Sequence, residues 1–346
     1  MTTVTLADLG WSAHFQTQIS ETDNALVAHR VTGVRRSTIE TVSVSDPHRF
    51  EVPPGMTTGD FAVGDWVLAE SGAPHVARRL EPKSLLQRRS AGTDVRTQRM
   101  AANVDTLGIV TACNDDFNVA RLERYLALAA SSDVLPLIIL TRADLVPDAA
   151  AFARQAQALS PLVAAVTLDA RDPEEVQSLA PWCRGGQTLA LMGSSGVGKT
   201  TLTNGLTGAD LATQDIRSDD AKGRHTSTAR HMLQTRFGGW LIDTPGMRAL
   251  RLADAGEGID SVFSDISDLV QHCQFSDCHH ESEPGCAVQA AIATGALDAD
   301  RVERWRKLQL EDARNSETIA ESRRRSRSLQ KMYRQGQSRG RNKRNL

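Results

Sequence analysis

Eight residues constrain this chain more than any others: Gly193-Ser194-Ser195-Gly196-Val197-Gly198-Lys199-Thr200 fits the pattern GxxxxGK[ST] in full. The apolar run LeuAlaLeuMet at 189–192 precedes it, and a helical pattern opens at Thr201 and reaches Leu206. A glycine-rich turn between a strand and a helix points backbone N–H groups at a phosphate chain. Lys199 then reaches the outer phosphates, and the Thr200 hydroxyl is placed to ligate Mg²⁺. Such a loop requires a parallel sheet, and the flanking sequence predicts one. Apolar runs at 106–110, 135–140, 188–192 and 240–242 alternate with helical patterns, the clearest at 119–131 with Leu122, Tyr125, Leu126 and Ala129 on one face. A doubly wound α/β domain is expected.

The phosphate loop alone accepts ATP or GTP, so the base must be read elsewhere. Asp243-Thr244-Pro245-Gly246 closes the strand TrpLeuIle about fifty residues after the loop. There Asp243 can reach Mg²⁺ and the Gly246 N–H can approach a γ-phosphate. Between them lies Gly223-Arg224-His225-Thr226-Ser227-Thr228, a polar loop suited to ordering around a triphosphate. Thr226 is the favoured hydroxyl for the magnesium shell, with Ser227 and Thr228 as rivals. Upstream of the phosphate loop, the strand LeuIleIleLeu ends in Thr141-Arg142-Ala143-Asp144. Asp144 can accept from guanine N1–H and its exocyclic amine, a donor pair that adenine lacks. The predicted nucleotide-binding set is thus Thr141, Arg142, Ala143, Asp144, Gly193 to Thr200, Thr201 and Gly246, with magnesium on Thr200, Thr226 and Asp243. The motif order is base reader, phosphate loop, switch loop, DTPG; ordinary GTPases place the reader last, so the domain is circularly permuted. Met247 stands after DTPG and cannot orient water, which leaves His225, with Lys199, as the catalytic candidate.

Outside this domain the pattern differs on each side. Short β-rich runs at 25–28, 38–44 and 65–69, broken by Gly33, Pro53-Pro54-Gly55, Gly59 and Gly64, predict a small OB-like barrel. A basic stretch at 87–100 reads as a connector. Near the other end, Cys273-x₄-Cys278-x-His280-x₅-Cys286 offers three thiolates and one imidazole within fourteen residues, a closed set for structural zinc. His272 and His279 are alternative nitrogen donors; Cys113 and Cys183 read as buried small residues. The expected organisation is an extension at 1–24, a barrel at 25–90, the permuted domain at 91–258, a helical zinc module at 259–315 and a basic tail at 316–346.

Charge separates along the chain. Residues 315–346 carry ten Lys or Arg against two Glu, whereas the whole chain sums to −2, so an acidic body ends in a basic tail. That asymmetry suggests an anionic polymer as partner. No apolar run spans a bilayer and no secretory pattern opens the chain, so a cytoplasmic monomer that does not enter the membrane is expected. Two other classes stay open on residues alone: a P-loop ATPase or kinase with a zinc module, and an RNA-binding protein with incidental turnover.

Taken together, TRAD at 141–144, GSSGVGKT at 193–200, GRHTST at 223–228, DTPG at 243–246 and the Cys/His set at 273–286 resemble the bacterial circularly permuted GTPases that depend on the small ribosomal subunit. AlaAlaAsnValAsp at 101–105 and GlyAspTrpVal at 64–67 also look like that family, and the resemblance covers nearly the whole chain. It implies OB, G and zinc domains, binding to the small subunit and its rRNA, and a role in the subunit's late maturation. It further implies slow GTP hydrolysis to GDP and phosphate, stimulated by the subunit, with His225 as catalytic residue. Arg142 stands where the family has Lys, and the Arg-rich extension past Arg323 exceeds its pattern.

Overall fold

The computed structural model describes residues 4–89, 97–161, 163–211, 231–243, 252 and 255–316. His225, Thr226 and Gly246, together with Ser227, Thr228, Met247 and the tail from 317 onward, lie outside the described residues.

The first strands are β1 (Val27–Val34), β2 (Thr38–Val42), β3 (Pro47–Glu51), β4 (Trp66–Ala69) and β5 (Arg78–Arg79). β1, β2 and β3 form an antiparallel meander, and β4 returns to pair with the other edge of β1 and with β5. A parallel bridge from Glu51 to His75 joins the end of β3 to the residues entering β5, closing the OB-like barrel. Alternation explains its core: Val31, Ile39, Phe50, Phe61 and Val67 point inward and are almost fully buried. The stretch that reads as a connector forms a hairpin instead, β6 (Leu85–Arg89) with β7 (Thr97–Ala102). Polar residues such as Gln87, Gln98 and Arg99 hide the strand pattern, and Arg99 turns inward to the buried Asp65 carboxylate at 3.2 Å.

Next come β8 (Thr106–Ala112), β9 (Leu135–Thr141), β10 (Ala164–Thr167), β11 (Thr188–Gly193), β12 (His231–Gln234) and β13 (Trp240–Asp243). Their order in the sheet is β10-β9-β8-β11-β13-β12, parallel except for β12. β11 and the stretch of β9 from Leu137 to Thr141 are buried on both faces. Leu137, Ile139, Leu189 and Leu191 pack to one side with Leu202 and Leu206, while Ile138, Leu140, Ala190 and Met192 join the opposite cluster. That is why their sequences are unbroken apolar runs. β12 also bridges β1 at Gly33 and His231, so barrel and α/β strands share one eleven-stranded sheet.

The helices are α1 (Ala13–Gln16), α2 (Val119–Ala130), α3 (Ala149–Gln157), α4 (Pro173–Gln177), α5 (Lys199–Thr207), α6 (Gly256–Val262), α7 (Ser264–Val270), α8 (Ala287–Ala293) and α9 (Ala299–Ser316). Asn118 caps α2 through the Arg121 N–H, and Asp148 caps α3 through the Ala151 N–H. α6 presses on α2 so closely that a Cβ at Gly258 would meet the Ala127 carbonyl at 2.2 Å.

Each junction of the central sheet holds a buried charged side chain. On the barrel side Arg30 is fully buried, donating to the Leu9 carbonyl at 2.5 Å and to Thr188 Oγ1 at 2.7 Å. On the C-terminal side Glu123 of α2 is fully buried and accepts from Arg301 at 3.0 Å and Arg304 at 2.7 Å, both on α9. Burial raises the Glu123 carboxyl, and the two arginines oppose the rise. Among the described residues no helix is long and apolar enough to cross a membrane.

Candidate nucleotide site and metal centre

The phosphate loop leaves the carboxyl end of β11, where the strand order reverses: β8 leads outward to β9 and β10, and β11 leads the other way to β13. Open α/β sheets hold ligands at such a point. Gly193 has φ +151°, and a Cβ there would lie 2.1 Å from the Val110 carbonyl oxygen, so a side chain would push β11 off β8. Gly198 has φ +93° and begins α5, which leaves the first N–H groups of that helix facing the loop. Val197 is buried and anchors the loop, while Ser195 and Gly196 are exposed. Lys199 folds back across the loop, its Nζ donating to the Gly193 carbonyl at 2.9 Å and to that of Ser194. Thr200 and Thr201 sit half-buried in the first turn of α5.

The TRAD residues meet this loop from the end of β9. The Thr141 hydroxyl donates to the Val197 carbonyl at 2.7 Å, with the Thr111 carbonyl 3.2 Å away. Arg142 adopts φ +59°, a conformation costly for a side-chain-bearing residue, and donates to the Gly196 carbonyl at 2.6 Å. The arginine therefore bridges the TRAD turn to the phosphate loop. Ala143 to Leu145 form a single 3₁₀ turn that presents the Asp144 carboxylate to solvent.

Asp243 ends β13 opposite Leu191 of β11, two residues from where the loop begins. Burial pushes its carboxyl above the ordinary range, opposed by the Lys199 ammonium and the Thr203 hydroxyl. A carboxylate destabilised this way gains from a divalent cation. Thus Asp144, the phosphate loop and Asp243, spread over a hundred residues of sequence, share one edge of the sheet.

One participant escaped the sequence reading. The loop after β10 places Arg171 against the TRAD turn: its Nη2 donates to Asp144 Oδ2 at 2.7 Å and to Asp169 Oδ2 at 2.9 Å. Neither residue belongs to a recognisable motif. The signal available was the run AlaAlaValThr at 164–167, a strand too short and too small in its side chains to stand out.

The Cys/His set converges as its spacing predicts. Cys273, Cys278, His280 and Cys286 place one donor atom each within 4.8 Å of one another. Cys273 Sγ lies 3.5 Å from His280 Nδ1 and 4.0 Å from Cys286 Sγ, and Cys286 Sγ is 3.6 Å from that nitrogen. An ion about 2.0–2.3 Å from each donor needs edges of roughly this length, so the set fits a tetrahedral metal. Burial raises the Cys273 thiol, but the Ala287 and Val288 N–H groups outweigh it, bringing its pKa below the ordinary value and favouring thiolate. Burial, with Arg306 nearby, lowers the pKa of His280 and keeps the imidazole neutral, as a ligand must be. Its ring packs 5.7 Å from that of Trp305 on α9. His272 and His279 are not part of the cluster. Cys113 and Cys183 are buried, as expected.

Comparison with known proteins agrees with this geometry. The sequence profile of a family described as RsgA GTPase matches residues 79–253. The small ribosomal subunit biogenesis GTPase RsgA of Mesorhizobium japonicum is 51% identical over 315 residues, covering 90% of this chain and 91% of its own. RsgA 2 of Vibrio vulnificus, with the same description, is 45% identical, covering 96% and 95%. Among solved structures, YjeQ from Thermotoga maritima matches with a TM-score of 0.59 at 23% identity, over 82% of this chain and 97% of its own. YloQ, described as a circularly permuted GTPase, gives 0.58 at 21% identity, over 87% and 99%.

Proposed function

This chain belongs to the RsgA GTPase family, and on that premise we propose that it hydrolyses GTP to GDP and phosphate while assisting maturation of the small ribosomal subunit. The observation that carries the reading is the convergence of Asp144, the loop 193–200 and Asp243 on one sheet edge, in permuted order. Asp144 reads guanine through N1–H and the exocyclic amine. Thr141 and Arg142 lock the reader to the phosphate loop, and Ala143 completes the turn beneath the base. Gly193, Ser194, Ser195, Gly196, Val197 and Gly198 wrap the phosphates with backbone N–H groups. Lys199 swings from the loop carbonyls to the β- and γ-phosphates, where it offsets developing negative charge.

Bound Mg²⁺ supplies charge neutralisation at the phosphates; Thr200 and Asp243 would hold it, with Thr226 completing the shell and Gly246 meeting the γ-phosphate. His225 positions the attacking water. Zinc on Cys273, Cys278, His280 and Cys286 is structural, since four protein donors leave no open position. The protein acts as a cytoplasmic monomer that contacts rRNA. Its boundaries fall near residues 24, 258 and 315, with the hairpin β6–β7 joining the barrel to the permuted domain where a boundary near 90 was expected, and the basic tail adds salt-sensitive affinity.

Hydrolysis of GTP and ATP by the purified protein, with and without small ribosomal subunits, tests this. Slow GTP-selective turnover that rises strongly with subunits is expected. Turnover faster with ATP, or indifferent to subunits, would overturn it.

A further inference from the structure

The loop between β10 and α4 is built more rigidly than a surface connection needs. The Leu168 N–H donates to the Leu140 carbonyl at 2.9 Å, and the Ala143 N–H donates back to the Leu168 carbonyl at 3.4 Å. The Asp169 N–H is held by Glu175 Oε2 at 2.7 Å, and Asp172 caps α4 through the Glu174 N–H at 2.9 Å. Within this frame Asp169 grips Arg171 four ways: Oδ1 accepts from the Arg171 N–H at 2.9 Å and from Nε at 3.0 Å, and Oδ2 accepts from Nε at 3.2 Å and from Nη2 at 2.9 Å. A long side chain that would otherwise sample many rotamers is fixed at both its backbone and its head. What remains free on that head points at Asp144, where the same Nη2 donates to Oδ2 at 2.7 Å.

The chemistry at this place is demanding. Two carboxylates, Asp144 and Asp169, rest on one guanidinium nitrogen. Without the cation they would repel each other beside the base. With it, Asp144 has one oxygen engaged on its inner side. Its second oxygen and the remaining lone pair of the first are left as acceptors, the pair that N1–H and an exocyclic amine require. Both groups are exposed, so their attraction adds little to folding stability. Its value lies in direction, because a two-point hydrogen bond is lost when the acceptor plane rotates.

We propose that Arg171, anchored by Asp169, is a positioning residue for base selection: it fixes the plane of the Asp144 carboxylate so that guanine meets both oxygens. This rests on the reading of Asp144 as the guanine acceptor. It assigns to a residue outside every sequence motif a share in telling guanine from bases with fewer donors.

The test uses the full chain and two probes, GDP and inosine diphosphate, which lacks the exocyclic amine. Dissociation constants are measured by calorimetry for wild type, Arg171→Ala, Arg171→Lys and Asp144→Asn. Arg171→Ala is expected to weaken GDP about two- to fivefold, the scale of one exposed charge-assisted contact. Inosine diphosphate should weaken less, so the ratio between the two nucleotides narrows. Arg171→Lys, which keeps the charge but loses the fork, should recover part of the loss. Equal weakening of both nucleotides, or GDP binding that is unchanged or tighter, overturns the proposal while Asp144→Asn still collapses the ratio. If Asp144→Asn itself leaves the ratio intact, the guanine reading fails, and the role of Arg171 falls with it.

Discussion

The nucleotide edge and the metal centre solve the problem of gathering functional groups in opposite ways. The metal centre draws all four donors from 273–286, so local chain geometry nearly suffices, with Trp305 of α9 covering one side. The nucleotide edge takes Asp144, Lys199 and Asp243 from three different strand ends and relies on the sheet to align them. A site of the first kind depends on the ion its donors would hold, whereas a site of the second kind is as rigid as the core beneath it.

Four perturbations sharpen that contrast, beginning with the largest. Chelating the metal, or Cys286→Ser, should unfold 273–286, since binding energies of structural zinc are about 10–16 kcal/mol and appear as folding energy. Circular dichroism and hydrogen exchange would register the loss there, with GDP affinity at the sheet unchanged; a fall in both would merge the two sites into one cooperative unit. Next, Glu123→Ala removes the buried anion that Arg301 and Arg304 share, although Arg301 keeps Asp265 and Arg124–Glu311 still joins α2 to α9. About 3 kcal/mol of stability should go, read as a lower denaturant midpoint. Asp144→Asn should weaken GDP about 100-fold or more through two charge-assisted hydrogen bonds, without altering zinc content. Smallest is Thr141→Val, which deprives the buried Val197 carbonyl of its donor. A cost of about 1–2 kcal/mol is expected in GDP affinity, with the melting temperature moving by only a few degrees.

The same contrast explains what the sequence made legible. GSSGVGKT, TRAD, DTPG and the Cys/His spacing are contiguous strings whose chemistry is set by neighbours along the chain. The strand β11 and the stretch of β9 from Leu137 to Thr141 were equally plain, because burial on both faces leaves uninterrupted apolar residues. The contacts that escaped join distant segments. Arg171 and Asp144 are 27 residues apart, and Glu123 and Arg301 are 178 apart. Strand β12 and the hairpin β6–β7 escaped for another reason, since polar residues interrupt their apolar positions and blur the period of two. Arg142 was visible as a departure from the family's lysine, yet its contact with the Gly196 carbonyl required the fold.

One consequence follows from the bridge between Gly33 and His231. A hydrogen-bonded strand cannot slide by one residue without turning its side chains to the other face, and Met232 on β12 is buried. A one-residue slip of β12 would therefore turn Met232 out of the core. Neighbouring strands lie about 4.8 Å apart, so a turn of β12 by roughly 10° would carry β3, three places beyond it, by about 2.5 Å. Any rotation beginning at β12 would thus be largest at the rim of the barrel.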